Sequence, residues 1–565
     1  MTLKIIHKNS TSAGTPPAAG DIDVGEIAIN AADAKLFIKD TDGAVQEFIG
    51  KFEQSGNGAV ARSVESRLRD VVSVKDFGAA GDGVADDTAA IQAANDAAAL
   101  AGVALRFSAG DSYLVSSIQL SAPAIHTYGA TFVPGSASAT TPCVSVLAGA
   151  KFIDSIYVDQ AGTSRKRAIV FNACADLIVN NVDVTCSEQN SYGGDANNAA
   201  VRFFACVNTA VLSLSVEKFD YAVKIFGATD HLTIGTVKIR NYINGINLQQ
   251  GVHVDIGSIN GIDIQARSSL WTVQQPGQNG ILIGNDSGVN AGTSHVRIVN
   301  AVIRDSGEHG IRIGGANEVH NVTFESPNIG NVDGTCLKIL SGDNGLYTRN
   351  VTINNPRLFD AVGGGIKLSC GLMLYRVINC IVNSPVITKE SHTYSGTHGI
   401  SLYDVLKLEI NNPIIENAEE HGISVRLTHA DAGGTLITQD CNQVFVSGGT
   451  ISLSGIDGIN IPTQGAQHRR WVVSDTLLQF NAGYGININS TSDPSIGQVD
   501  YGYFSTIGRA NTLGHASIVT GNTSRLAFAL KGQYSAGLAS ANGSTQQDTE
   551  NGVFYLKKNN VWTAL

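Results

Sequence analysis

The sequence predicts an all-β chain wound as a right-handed parallel β-helix, and three observations carry that expectation. The first is a repeated signature, a polar or small residue followed by glycine and an alternating apolar run. It occurs at Asn244-Gly245-Ile246, Asn279-Gly280-Ile281, His309-Gly310-Ile311, Gly364-Gly365-Ile366, His398-Gly399-Ile400, His421-Gly422-Ile423, Asp457-Gly458-Ile459 and Tyr484-Gly485-Ile486. With Asp333-Gly334 filling the gap, successive glycines are about 23 to 36 residues apart, which suits a coil of three strands and three turns. The second is composition: 62 glycines and only 15 % charged residues, low for an ordinary globular surface. The third is length, since 565 residues exceed what one compact core supports, whereas a solenoid buries each repeat against its neighbours. The shorter, stricter period of left-handed hexapeptide coils is absent.

Within each signature, alternation points the residues one and three past the glycine inward and the residue between them outward. Ile311, Ile313, Ile366, Leu368, Ile400, Leu402, Ile423, Val425, Ile459 and Ile461 then form inward ladders. Asparagines between strands, such as Asn354-Asn355 and Asn411-Asn412, tolerate left-handed backbone and can bond along the stack.

Ahead of the coil, residues 1–50 hold two alternating runs, 25–30 and 35–40, that read as a hairpin. An isolated hairpin is marginal in water, so this module should pack on something else. Residues 51–70 read as a linker and short neck helix with Val60, Val64 and Leu68 at four-residue spacing. One stripe on so short a helix cannot bury itself, but three copies could meet along it. The coil is expected over 71–497, with a helix near 88–100 introduced by the capping types Asp86, Asp87 and Thr88. Residues 498–565 carry Tyr501, Tyr503, Phe504, Phe528, Tyr534, Phe554, Tyr555 and Trp562 among Gly, Ser and Asn. They read as a small β module, too small for a full core of its own, and trimerisation is preferred over an independent sugar-binding role.

The net charge of −11 disfavours nucleic acid as a partner, which requires a basic footprint. No stretch approaches a membrane span, so no membrane insertion is expected. Residues 1–10 lack the apolar core of a signal peptide, which points to synthesis in a cytoplasm without Sec export. The eight cysteines show no CxxC pair and no zinc-like spacing, and read as buried thiols in preference to disulfides. No metal or cofactor set stands out.

Two segments resemble known families. Residues 25–45, GEIAINAADAKLFIKDTDGAV, look like the small N-terminal modules of phage tail fibres and tailspikes, which attach the spike to the virion; a generic hairpin decoration is the alternative. Residues 76–92, DFGAAGDGVADDTAAIQ, resemble the opening motif of the pectate-lyase-like β-helix superfamily, where the motif leads into a helix that plugs the first coil. Such a plug covers an otherwise unpaired sheet edge. Together they resemble phage tailspikes over most of the chain. The resemblance implies a homotrimer on the phage tail, bound to other virion proteins through the N-terminal module, that binds and cleaves capsule, O-antigen or exopolysaccharide. A non-enzymatic receptor-binding spike and a polysaccharide lyase are the alternatives. The NTD and RIK triplets of polygalacturonases and the calcium-binding aspartates of pectate lyases are missing, so no catalytic role transfers by position.

Site candidates come from stacking. Equivalent positions on successive rungs lie about 4.8 Å apart. A retaining glycosidase needs carboxyls about 5 Å apart and an inverting one about 6.5–9.5 Å, so carboxylates one or two rungs apart meet either demand. Two stretches concentrate such groups: Asp305, Glu308 and His309 with Asp333, and Glu416, Glu419, Glu420 and His421 with Asp457 and the preceding Glu390, His392, Tyr394 and His398. Glu308, Asp333, Asp305, Glu420, Asp457 and His309 are the catalytic candidates. On the outward column Arg312 and Lys367 fall in register, joined by Lys338 if Leu337 and Ile339 point inward; such cations repel one another unless an anion lies across them, either Glu308 and Asp333 or an acidic polysaccharide. Trp271, Tyr394 and His421 complete the substrate-binding candidates, and Tyr347, Tyr403, Trp471 and Tyr484 are further aromatics that could stack on sugars.

Overall fold

The computed structural model describes residues 8–48, 51–135, 141–160, 167–186, 199–266, 278–284, 292–315, 318–341, 346–361, 369–390, 398–430, 436–462, 467–483, 485–489, 498–500, 503–509, 527–530, 545–548, 553–558 and 561–564. The chain is a right-handed parallel β-helix. Each turn of the coil contributes one strand to each of three faces. On the first face Ile246, Ile281, Ile311, Leu337, Leu372, Ile400, Ile423, Ile459 and Ile486 are successive parallel partners. All are fully buried. The second face stacks Ile234, Ile256, Ile298, Phe324, Ile353, Val382 and Ile410 in the same way. The third stacks Ile264, Ile303, Ile329, Leu358, Ile387, Ile415 and Ile451. These aliphatic columns are the core, and burying each such side chain contributes about 1.5–3 kcal/mol.

The signature glycines turn out to be needed for space. Gly280 lies inside the strand Asn279–Ile283. A Cβ there would sit 2.6 Å from the Gly310 carbonyl oxygen on the next rung and 2.7 Å from Ile303 Cγ2 of the third face. Gly310, Gly399 and Gly422 meet isoleucines of that face in the same manner. Two rungs depart from the expected alignment. Leu337 partners Ile311, so Cys336 takes the glycine position in place of Gly334. Leu337 partners Leu372 in turn, so the following rung is built on Gly371-Leu372 and not on Gly365-Ile366; Ile366 and Leu368 lie outside the described residues.

The corners hold left-handed residues, among them Asn355 and Asn412 at φ 49°. Beside them side-chain amides form a ladder: Asn383 donates to Asn354 Oδ1 (2.8 Å) and Asn411 donates to Asn383 Oδ1 (2.9 Å). A second ladder joins Asn321, Asn350 and Asn379, each step 2.8 Å.

The helix Thr88–Ala101 covers the N-terminal end of the coil. Its Ile91, Ala94 and Ala98 are buried, and Asn95 Oδ1 accepts the Ser121 (2.8 Å) and Ala122 (3.1 Å) amides. Asp87 stands at the cap position, yet its carboxylate accepts the Ala80 and Gly81 amides and so ties the opening loop to the plug. Upstream, Ile27–Asn30 pairs antiparallel with Lys35–Lys39 in a four-stranded sheet. The neck helix is only Val64–Leu68, because the Ser63 hydroxyl accepts the Ser66 amide and starts the helix there, after Val60. At the other end parallel pairing runs past residue 497, through Tyr503–Arg509 to Ala527–Leu530, before Thr545–Asp548, Val553–Lys558 and Val561–Ala564 pair antiparallel. All eight cysteines are buried and none forms a disulfide.

Candidate functional site

The outward column of the first face runs Arg202, Lys224, Asn247, Leu282, Arg312, Lys338, Met373, Ser401, Ser424, Asn460 and Asn487. Arg312 and Lys338 are adjacent, as expected. Lys367 is not their neighbour: Met373 holds the next position, and Lys367 lies outside the described residues. Two cations not foreseen from the sequence, Arg202 and Lys224, extend the column, and both approach the Phe226 ring (4.6 Å and 5.1 Å). Although they point out of the coil, Arg202, Lys224, Asn247, Met373, Ser401 and Ser424 are buried. The outward column is therefore shielded from solvent over much of its length.

Just ahead of first-face strands lie buried carboxylates, Asp220, Glu308, Asp333 and Asp457. Glu308 sits 3.5 Å from His309 Nε2 and 3.8 Å from Arg312. His309 Nδ1 accepts the Thr335 amide (3.0 Å), leaving Nε2 to face Glu308. Lys338 Nζ stands 3.2 Å from that same nitrogen. Glu308, His309, Arg312 and Lys338 are thus one network over two rungs. Asp333, also buried, donates its amide to the Ser306 carbonyl (3.0 Å). Asp305 is at a left-handed corner and accepts from Gln265 (3.2 Å).

The second cluster forms where the strand His421–Val425 follows His398–Asn411. The His398 and His421 rings stack at 5.4 Å. Glu420 is 3.7 Å from His398 Nδ1 and keeps a side chain 44 % exposed. Burial, then the neighbouring Glu419, raises the Glu420 pKa. His421 Nδ1 lies 3.4 Å from Asp457 Oδ2 and accepts the Asp457 amide (3.3 Å). Burial lowers the His421 pKa despite that carboxylate, leaving a neutral imidazole near pH 7. Asn487 donates to Asp457 (2.9 Å), and Asn460 Nδ2 is 3.3 Å from His421 Nε2. Four rung steps separate Glu308 from Glu420, about 19 Å, too far for one carboxylate pair to span both clusters.

A third group was not picked out as a unit. Tyr347 donates its hydroxyl to Asp404 (3.0 and 2.9 Å), with Arg376 3.9 Å from the same carboxylate. Burial and Asp404 push the tyrosine up to about 12, and burial raises Asp404. Both Arg376 and Asp404 have positive φ, a corner feature with no side-chain periodicity to reveal it. Trp471 is fully buried and donates Nε1 to the Cys441 carbonyl (2.9 Å), so it packs the core and does not face sugar. Tyr375 and Tyr403 are buried as well. Trp271, Tyr394, His392 and Tyr484 lie outside the described residues. Three potential metal ligands converge elsewhere, at Asp230, His231 and His253.

No family model matches the chain, and no curated protein matches it. Among solved structures, a tailspike protein of E. coli bacteriophage HK620 in complex with a hexasaccharide aligns at 11 % identity, TM-score 0.45, over 82 % of this chain and 81 % of that one. The Dettilon tailspike protein aligns at 15 % identity, TM-score 0.44, over 78 % and 71 %. A hyperthermoactive exopolygalacturonase from Thermotoga maritima aligns at 14 % identity, TM-score 0.41, over 60 % and 91 %.

Proposed function

We propose that this chain is a phage tailspike that binds an acidic bacterial surface polysaccharide along the first face and cleaves it by glycosidic hydrolysis. The observation that carries the reading is the outward column of the first face, with cations at Arg202, Lys224, Arg312 and Lys338 and the carboxylates Asp220, Glu308, Asp333 and Asp457 close by in the chain. A sugar polymer lying along the coil would meet a new rung about every 4.8 Å. Glu420 suits the general acid, being accessible and raised toward neutrality. Asp457, one rung on, supplies the second carboxylate, with the neutral His421 beside it. The Glu308 network is already held by cations and serves binding and positioning.

The order of segments supports placement on a virion, with an N-terminal module resembling those of tail fibres ahead of the coil. A homotrimer is supported by Val64 and Leu68 on the neck helix, which are 40 % and 71 % exposed in the single chain. The test is incubation of the chain with purified capsule, O-antigen or exopolysaccharide of candidate hosts. Falling polymer size with new reducing ends supports hydrolysis, lost in Glu420→Gln and Asp457→Asn. An unsaturated uronate product overturns hydrolysis in favour of elimination. Binding without any change in polymer size makes the chain a receptor-binding spike only.

A further inference from the structure

At the corner between the first and second faces, Asp230 and His231 lie on one rung and His253 on the next. Asp230 partners Val252 and Leu232 partners Val254, so His231 and His253 occupy equivalent positions. Both are left-handed, at φ 51° and 52°, and their rings stack with centroids 4.3 Å apart. Their Nδ1 atoms face one oxygen of Asp230, at 2.8 Å and 3.0 Å. His295 continues the stack at 4.6 Å from His253, and its Nε2 is engaged by Asn321 (2.9 Å).

Backbone conformation alone does not call for histidine here. Asn208, Asn321, Asn350 and Asn379 meet the same left-handed requirement along this corner. Two imidazole nitrogens and a carboxylate oxygen within 4.8 Å of one another make a different chemical group. Metal–nitrogen bonds of about 2.0–2.1 Å and metal–oxygen bonds of about 2.0–2.2 Å bring ligand atoms to roughly 3 Å from each other. The spacings to Asp230 already have that size. All three side chains are 40 % exposed or more, so an ion reaches them without opening the coil.

We propose that Asp230, His231 and His253 bind one divalent transition-metal ion of the zinc class, tying two adjacent rungs on the outside of the coil. Each imidazole binds through a deprotonated Nδ1 and keeps its proton on Nε2, water fills the remaining positions, and the carboxylate offsets one of the two charges. The site stands independently of the polysaccharide reading.

The test is calorimetric titration of tag-free, chelator-treated full-length protein with zinc ions. One equivalent per chain is expected. His253→Asn keeps a residue this corner accepts, and should weaken binding by at least about tenfold, the loss that even a supporting residue outside the ligand set produces. His295→Asn should keep the equivalent. Far-UV circular dichroism confirms that each variant remains folded. Absence of a one-equivalent event, or equal affinity in His253→Asn, overturns the proposal.

Discussion

Replacing Gly280 by alanine tests the role assigned to the glycine column. Glycine in a strand normally costs conformational entropy, so Gly→Ala at a compatible position stabilises by about 0.4–1 kcal/mol. Gly280 has no positive φ, so the backbone itself accepts alanine. The space does not. The new Cβ falls 2.6 Å from the Gly310 oxygen and 2.7 Å from Ile303 Cγ2, both inside normal contact distance. Overpacking a core of this kind costs about 1–3 kcal/mol. Displacing the Gly310 carbonyl also stretches a rung hydrogen bond, worth about 0.5–1.5 kcal/mol. The expected sum is a destabilisation of about 2–4 kcal/mol. A coil this long need not unfold in a single step, so the assay is the unfolding rate at fixed guanidinium concentration. If the contact is absent from the transition state, 2 kcal/mol appears as roughly a thirtyfold faster rate. Gly20→Ala is the control, since no atom lies within 4 Å of its Cβ position. A Gly280→Ala protein that unfolds as slowly as wild type, or more slowly, refutes the steric account.

Three further outcomes follow from the same structure. Asn383→Ala breaks both steps of the ladder through Asn354 and Asn411 and should cost about 1–3 kcal/mol in the same assay; a change under about 0.5 kcal/mol would make the ladder ornamental. His468 is buried, donates Nε2–H to the Pro462 carbonyl (2.9 Å), accepts the Cys441 amide (3.0 Å) and has a pKa lowered by burial. The unfolded chain therefore binds the extra proton first, and stability is lost as pH falls through about 6.5. Relative to His468→Gln, wild type should lose thermal midpoint between about pH 7.5 and 5.5, and parallel curves would contradict this. Lys338→Met imitates the neighbouring Met373 and should weaken binding of an acidic oligosaccharide about tenfold while sparing a neutral one. Equal losses for both ligands would remove the electrostatic role.

The parallel coil was legible because its two determinants are local: alternation along each strand, and a glycine wherever the third-face isoleucine enters the corner. Register was harder. Gly365-Ile366 and Gly371-Leu372 carry the same pattern six residues apart, and only the packed columns choose the second. That choice exchanges Lys367 for Met373 beside Lys338. Cys336 could replace a signature glycine unnoticed, since small size matters there more than a special φ. Glu308 with His309, and Glu420 with His421 and Asp457, were legible as clusters because they flank the signature itself. Arg202 and Lys224 were missed because Val201 and Val223, their rung neighbours, follow alanine in place of a signature glycine. The Tyr347, Arg376 and Asp404 group assembles three separate rungs at a corner, and corners carry no period.

Cross-linking tests stacking most directly. Thr323 and Thr352 are 29 positions apart in the sequence, yet they are register partners on the second face. Adjacent rungs place their Cα atoms about 4.8 Å apart, inside the roughly 4.4–6.8 Å that a disulfide spans. Ile381 lies one rung beyond Thr352, about 9.6 Å from Thr323 and out of reach. The eight native cysteines are buried and do not compete. Mild oxidation should join Thr323→Cys to Thr352→Cys within one chain and leave Thr323→Cys with Ile381→Cys unlinked, as read by peptide mass. The opposite pattern, or no link in either pair, would contradict the coil on which the whole account stands.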